Sequence, residues 1–211
     1  MANKINEMKK FILTFIYSSV ITICYSQAAD GYIRLGLAYE STGNYNEAIK
    51  SYTKVIELDS DYVNAYYNRG LIYTEQGNND EAIKDYSNVI KLNPKDTDAY
   101  YSRGLAYHTQ GKIDEAIKDF NKTIELNPNY AEAYCSRGFI YFILEYNEKA
   151  IKDFNKTIEL NPNYIDAYNY RGNAYYMQEE DDLCINDWEK AADLGSYDAR
   201  ENLKKYYDID Y

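Results

Sequence analysis

A spacing of 34 residues recurs through most of this 211-residue chain. Five glycines follow it, each with a tyrosine four positions before it and another three positions after it. The three prolines of the chain keep the same spacing. A constant period of this length indicates stacked structural repeats, because one unit of this size cannot bury a core alone. The repeated positions are Gly36, Gly70, Gly104, Gly138, Gly172, Pro94, Pro128 and Pro162.

One period predicts two helices joined by a tight turn. In residues 97–130, apolar and aromatic residues from Ala99 to Tyr107 recur at helical spacing, and Gly111 then interrupts the pattern. A second helical pattern ends before Pro128, since proline disfavours a helical conformation at the preceding residue. Short connections make neighbouring helices antiparallel. The chain is therefore predicted to be all-α.

The repeated positions resemble the tetratricopeptide repeat. In the third period, Gly104 and Tyr107 lie on the first helix, Ala116 and Phe120 on the second, and Pro128 at the end, as in that family. The resemblance implies a right-handed α-solenoid of antiparallel helix pairs. The end of the last unit resembles a Sel1-like repeat, and residues 199–211 are predicted to form a capping helix. The five predicted units, together spanning 29–198, are 29–62, 63–96, 97–130, 131–164 and 165–198.

An arginine precedes the repeated glycine in four units, and an aspartate follows each arginine sixteen residues later. The first unit has Leu35 and Ser51 at these two positions, so both charges are missing together. This pattern predicts an Arg–Asp bridge between the two helices of each unit. The alternative is a row of arginines that binds an anionic ligand. The four pairs are Arg69/Asp85, Arg103/Asp119, Arg137/Asp153 and Arg171/Asp187.

Residues 1–28 differ from the repeats. Three lysines precede an apolar stretch from Phe11 to Ile23, and Ser26-Gln27-Ala28 then offers a signal-peptidase site. We expect an exported protein that is periplasmic or envelope-associated. An uncleaved signal anchor and lipidation at Cys24 are the alternatives, and only such a segment would place the chain in a membrane.

Composition argues against several functions. The formal charge is −11 and no basic patch is found, which disfavours nucleic-acid binding. Three cysteines and one histidine, without a Cys-x-x-Cys pair, predict no metal site and no disulfide framework. The sequence also has no glycine-rich phosphate loop and no paired nucleophile and base. We therefore predict a chain that is not an enzyme and has no cofactor.

The resemblance implies a binding groove along the first helices of the units. The residues at these positions are mostly apolar or aromatic, which is unlike a carboxylate clamp and favours an apolar or amphipathic segment of a protein or peptide partner. The predicted function is a non-catalytic interaction scaffold. Two alternatives stay open: these side chains only pack between adjacent helices, or the chain self-associates as a structural envelope protein without a separate ligand. The predicted groove residues are Ile33, Leu37, Tyr67, Leu71, Tyr101, Leu105, His108, Phe139 and Phe142.

Overall fold

The computed structural model describes residues 10, 11, 15 and 26–211. Most of the predicted signal segment 1–28, including Cys24, therefore lies outside the described residues. Among the residues that are described, no helix combines the length and the apolar character needed to cross a bilayer.

The regular secondary structure of the described residues is α-helical throughout. The helices alternate with turns of three or four residues, as the 34-residue pattern predicts. The described helices are α1 (26–41), α2 (Tyr45–Leu58), α3 (Val63–Glu75), α4 (Asn79–Leu92), α5 (Thr97–Thr109), α6 (Ile113–Leu126), α7 (Ala131–Ile143), α8 (Asn147–Leu160), α9 (Ile165–Tyr176), α10 (Asp181–Asp193) and α11 (Tyr197–Tyr207).

Above the level of the single repeat, the helices form two compact units. The first unit ends at Pro94, and the second unit spans Lys95–Tyr211. In the first unit, α3 packs against both α2 and α4. In the second unit, α5 packs on α6, α7 on α8 and α9 on α10, and the second helix of each pair contacts the helix that follows it. Helix α7 also contacts α9, so the first helices of successive repeats lie side by side there.

A large side chain packs over the repeated glycine in every helix pair. A Cβ atom added at Gly104 would lie 2.8 Å from Cε1 of Phe120, and one at Gly36 would lie 2.5 Å from Cε1 of Tyr52. Any side chain at these glycines would push the two helices apart. A large residue therefore packs over a small one in each of these helix pairs. The five buried aromatic residues of this kind are Tyr52, Tyr86, Phe120, Phe154 and Trp188.

The turn between the two helices of a repeat requires one left-handed residue. Glycine occupies it in the first three repeats, with φ between 71° and 75°. Glu145 and Glu179 occupy the same position with φ of 61°, so the turn keeps its geometry without glycine. This conformation costs a residue with a Cβ about 1 kcal/mol more than glycine.

The pairs Asn44/Glu47 and Asn78/Glu81 have the sequence spacing of a capping box, but no capping box forms at either pair. Neither asparagine side chain bonds a backbone N–H of the following helix. Asn44 has φ −82° and ψ 60°, outside the extended conformation that places a capping oxygen over the first turn. Its Nδ2 donates instead to Oγ1 of Thr42 at 2.9 Å, while Glu47 pairs with Lys50.

All four predicted Arg–Asp bridges are present within their own repeats. Arg137 donates from Nε and Nη2 to the two carboxylate oxygens of Asp153, at 2.8 and 2.7 Å. Burial disfavours the arginine cation, but the bonds and charge of Asp153 outweigh it and raise the pKa of Arg137. In the first repeat, Leu35 is exposed and the hydroxyl of Ser51 bonds its own helix. The loss of both charges together therefore leaves no buried charge unpaired.

The same arginines also bind the preceding repeat, a contact that the sequence analysis missed. Nη1 of Arg69 donates to Oγ1 of Thr53 at 2.8 Å, and Nη1 of Arg137 donates to Oδ1 of Asn121 at 2.6 Å. Arg171 makes the equivalent bond to Asn155. These partners lie sixteen residues before the arginine, as the aspartates lie sixteen residues after it. Each of these three arginines therefore joins two repeats.

Candidate functional site

The predicted groove residues of the first unit differ in exposure. Ile33 is half-buried against the core, and the ring of Tyr67 packs 5.8 Å from that of Tyr86. Leu37 and Leu71 are 48% and 39% exposed. In this unit, therefore, the two leucines are the residues most accessible to a ligand.

In the second unit, three first helices enclose a cavity of 180 Å³. Leu105 and His108 of α5, and Phe139 of α7, are predicted groove residues and line this cavity together. The 34-residue repeat explains their meeting, because Leu105 and Phe139 hold the same position on successive first helices. The full lining is Leu105, His108, Cys135, Ser136, Phe139, Tyr164, Asp166 and Tyr170.

Aromatic rings form the wall of the cavity. The Phe139 ring lies 4.7 Å from the Tyr170 ring and meets His108 edge-on at 6.0 Å. Tyr170 also packs 5.9 Å from the buried Phe154. These contacts anchor the wall to the core and fix the ring positions before any ligand arrives, which lowers the entropy cost of binding.

Two predicted groove residues of the second unit, Tyr101 and Phe142, do not line the cavity. The Tyr101 ring lies 5.8 Å from Phe120 and 5.0 Å from Tyr130, and its hydroxyl is 3.3 Å from the Ser136 hydroxyl. Phe142 packs against the core cluster that includes Phe154. Both residues therefore pack between neighbouring helices, which is the alternative that the sequence left open.

The cavity is more polar than the sequence analysis predicted. Asp166 is exposed at its edge, and Cys135, Ser136, Tyr164 and Tyr170 bring further polar atoms. Burial, with a smaller contribution from the Asp166 charge, raises the pKa of the Cys135 thiol to about 12. The same two causes raise the pKa of Tyr170. At neutral pH these groups are therefore neutral and can act as hydrogen-bond donors.

Asp166 belongs to an acidic row that the sequence analysis overlooked. Asp98 and Glu132 occupy its position in the two preceding repeats, and all three are exposed at the beginning of a first helix. The 34-residue spacing could have revealed this row. The roles of Tyr164 and Tyr170 were less accessible, because Tyr164 lies at the end of the fourth repeat and Tyr170 on the first helix of the fifth.

The amide side chains of the fifth repeat bind within the protein. Nδ2 of Asn169 donates to Oγ of Ser196 at 2.6 Å, and Oδ1 of Asn173 accepts from Nε1 of Trp188 at 3.0 Å. Their position on the first helix therefore helps to hold the end of the chain rather than to extend the cavity.

Within the described part of the chain, no group of three or more His, Cys, Asp or Glu side chains is placed to hold a metal ion. Cys135 and Cys184 are both buried free thiols.

Comparison with solved structures finds the same fold in several proteins. MamA is 28% identical, with a TM-score of 0.74 over 86% of this chain and 97% of that one. YrrB, described as a TPR protein with an unusual peptide-binding site, is 23% identical, with a TM-score of 0.71 over 86% and 97% of the two chains. PilF of Pseudomonas aeruginosa is 18% identical, with a TM-score of 0.72 over 87% and 94%. The predicted all-α solenoid of helix pairs is therefore confirmed as the fold class.

The family comparison is equally clear. The profile described as TPR repeat matches residues 36–77, 70–111 and 140–179, which is more than half of the chain. The profile described as tetratricopeptide repeat matches residues 97–130. No curated protein sequence matches. Such repeats typically form non-catalytic scaffolds for protein interactions. The chain belongs to the tetratricopeptide repeat family.

Proposed function

We propose that this scaffold binds a segment of a partner protein in the cavity between α5, α7 and α9. The observation that carries the proposal is the aromatic wall of Phe139 and Tyr170 beside Leu105, with the Asp166 carboxylate at its edge. Apolar surface of this kind accepts one large apolar side chain. The carboxylate favours a cationic or hydrogen-donating group next to that side chain.

A related protein gives the proposal a precedent. YrrB shares the fold and is described as having a peptide-binding site. Peptide binding by this chain would use its own residues, since the cavity is defined by side chains such as Cys135 and Tyr170 rather than by the fold.

Selection from a peptide display library tests the proposal. Peptides selected on the full chain should carry an aromatic or aliphatic anchor beside a basic residue. Phe139→Asp places a charge in the aromatic wall, and we expect it to weaken binding about tenfold or more. Phe139→Ala is a second variant that removes the ring without adding a charge. Both variants need an unchanged circular dichroism spectrum.

Leu37→Asp is the matched control, because Leu37 is an exposed groove residue of the other unit. Loss of binding in Leu37→Asp but not in the Phe139 variants would place the site in the first unit and refute the proposal. The selected peptides could instead match segments of this chain itself, and the size of the protein in solution could grow with its concentration. Those two results together would favour the self-associating alternative.

We also propose that residues 1–28 direct export to the periplasm or envelope. The support is their basic start, apolar centre and small residues at the end. Sequencing the N-terminus of the protein purified from cell fractions tests this. A mature chain that begins at Ala29 is expected. An intact N-terminus in the membrane fraction would indicate a signal anchor, and an intact chain in the cytoplasm would refute export.

A further inference from the structure

Five apolar side chains are exposed at the turns between the two helices of the fourth and fifth repeats. One ends α7, one directly follows it, one precedes α8, one follows α9 and one lies in the first turn of α10. We call this group the turn patch. Its members and their exposed fractions are Ile143 (55%), Leu144 (39%), Tyr146 (53%), Met177 (60%) and Leu183 (45%).

The chain itself shows that this apolar character is not needed to build the turn. Positions 34 residues apart are equivalent, and in the first three repeats the equivalents of the turn patch are polar or charged. Exposed apolar groups also contribute little to the core. The equivalents are Ser41, Glu75 and Thr109 for Ile143 and Met177; Thr42, Gln76 and Gln110 for Leu144; Asn44, Asn78 and Lys112 for Tyr146; and Glu47, Glu81 and Glu115 for Leu183.

The two turns that carry the patch lie close together. A cavity of 350 Å³ is lined by residues 145–149 of one turn and by Gln178 of the next, which follows Met177 directly. Tyr146 forms part of this lining. The two turns that carry the patch are therefore neighbours, so its apolar side chains lie on adjoining turns rather than scattered singly.

Acidic residues surround the turn patch. Residues 143–149 and 176–183 contain six carboxylates and one lysine. That lysine, Lys149, lies over the rings of Tyr146 and Tyr141, at 5.0 and 5.5 Å from their centres. The surface therefore combines an apolar centre with a negative rim. The rim residues are Glu145, Glu148, Glu179, Glu180, Asp181 and Asp182, all exposed.

We propose that the turn patch binds a basic amphipathic helix of a partner protein. The apolar face of such a helix would cover the patch, and its Lys or Arg side chains would pair with the rim. Two other occupants are unfavourable because they would be repelled by the negative rim. A second copy of the patch has the same negative rim, and an anionic lipid surface is also negatively charged. This surface uses none of the residues that line the cavity of the proposed function.

A substitution taken from the chain's own repeats tests the proposal. The triple variant Ile143→Thr/Met177→Thr/Leu183→Glu introduces the residues found at Thr109 and Glu115, so the turns are expected to fold. The probe is a fluorescent amphipathic helical peptide made of Leu and Lys, and its binding to the full-length chain is measured by anisotropy. The triple variant should bind about tenfold more weakly or worse.

The charge of the variant separates specific binding from general attraction. The triple variant is one charge more negative than the native chain, so attraction of a cationic probe by the acidic protein would be equal or stronger. An unchanged or lower Kd in the triple variant would therefore overturn the proposal. Equal binding of a matched Leu/Glu peptide would do the same.

Three further measurements complete the test. Phe139→Asp changes the cavity and not the patch, so it should bind the probe as the native chain does; weakened binding would place the probe in the cavity instead. In sedimentation, any self-association of the native chain should persist in the triple variant. Association that the triple variant abolishes would instead make the patch an interface between copies of this chain. Vesicles of phosphatidylcholine and phosphatidylglycerol should not bind through the patch, and loss of vesicle binding in the triple variant would contradict the proposal.

Discussion

The Arg137–Asp153 pair should show strong energetic coupling. Only 17% of the arginine side chain and 5% of the aspartate side chain are exposed. Removing one member of such a pair leaves a buried charge without its partner, which costs about 3–5 kcal/mol. Arg137 keeps its bond to Asn121 and lies 5.6 Å from the centre of the Tyr134 ring, so we expect a value near the lower limit. Asp153→Ser and Arg137→Leu should each cost about 3 kcal/mol.

The double variant Arg137→Leu/Asp153→Ser recreates the pair found at Leu35 and Ser51 in the first repeat. It leaves neither charge unpaired, so it should cost no more than either single variant. The coupling energy is then about 3 kcal/mol, at the upper end of the range for residues in contact.

Urea unfolding followed by circular dichroism gives the unfolding free energies of the native chain, the two single variants and the double variant. Repeat arrays can unfold in stages, so the curves need a model that treats neighbouring repeats separately. Glu159→Ala is the control, because it breaks an exposed pair with Lys156 and should cost less than about 0.5 kcal/mol. If the costs of the single variants simply add in the double variant, Arg137 and Asp153 are not coupled. An Asp153→Ser cost as small as that of Glu159→Ala would also contradict the prediction.

Three further predictions concern the glycine contacts, the turns and the buried thiol. In α1, Gly36→Ala should lower the unfolding free energy by about 1–3 kcal/mol, because its Cβ would meet Tyr52 at 2.5 Å. A Cβ at Gly31 in the same helix would meet nothing within 4 Å, so Gly31→Ala should raise the unfolding free energy by about 0.5–1 kcal/mol. Urea unfolding measures both variants, and changes of the same sign in the two would contradict this prediction. Glu145→Gly should stabilise the left-handed turn by about 1 kcal/mol, and Gly43→Ala should destabilise its equivalent, with opposite shifts of the urea midpoint as the check. With its pKa raised to about 12, Cys135 is protonated near pH 8, so iodoacetamide should modify it far more slowly in the native than in the unfolded chain, as read by peptide mass mapping. Equal rates would show that the thiol is not protected.

The fold was predictable because each repeat restates the same physical requirements. A glycine opposite a large ring, a left-handed turn and a proline after the second helix recur in register, so the helix pairs follow from local patterns. The Arg–Asp bridges were predictable because the chain contains its own control, the uncharged pair at Leu35 and Ser51. The spacing of Asn44 and Glu47 does not produce a capping box, because a sequence pattern does not fix the backbone angles of Asn44.

The candidate site was predictable only in part. The helical positions of Leu105, His108 and Phe139 account for their meeting in one cavity. The inward packing of Phe142 and the closure of the cavity by Tyr170 depend on how successive helices meet, which lies beyond the periodicity of one repeat. The third arginine contact, from Arg137 to Asn121, was missed for the same reason.

Hydrogen exchange of the full chain, with and without a peptide selected from the display library, tests the proposed binding site most directly. We expect added protection in α5, α7 and α9, centred on the segments that carry Leu105, Phe139 and Tyr170, and none in the Phe139→Asp variant. Protection confined to the first unit, or to the turns at residues 143–149 and 176–183, would contradict a peptide site in the cavity.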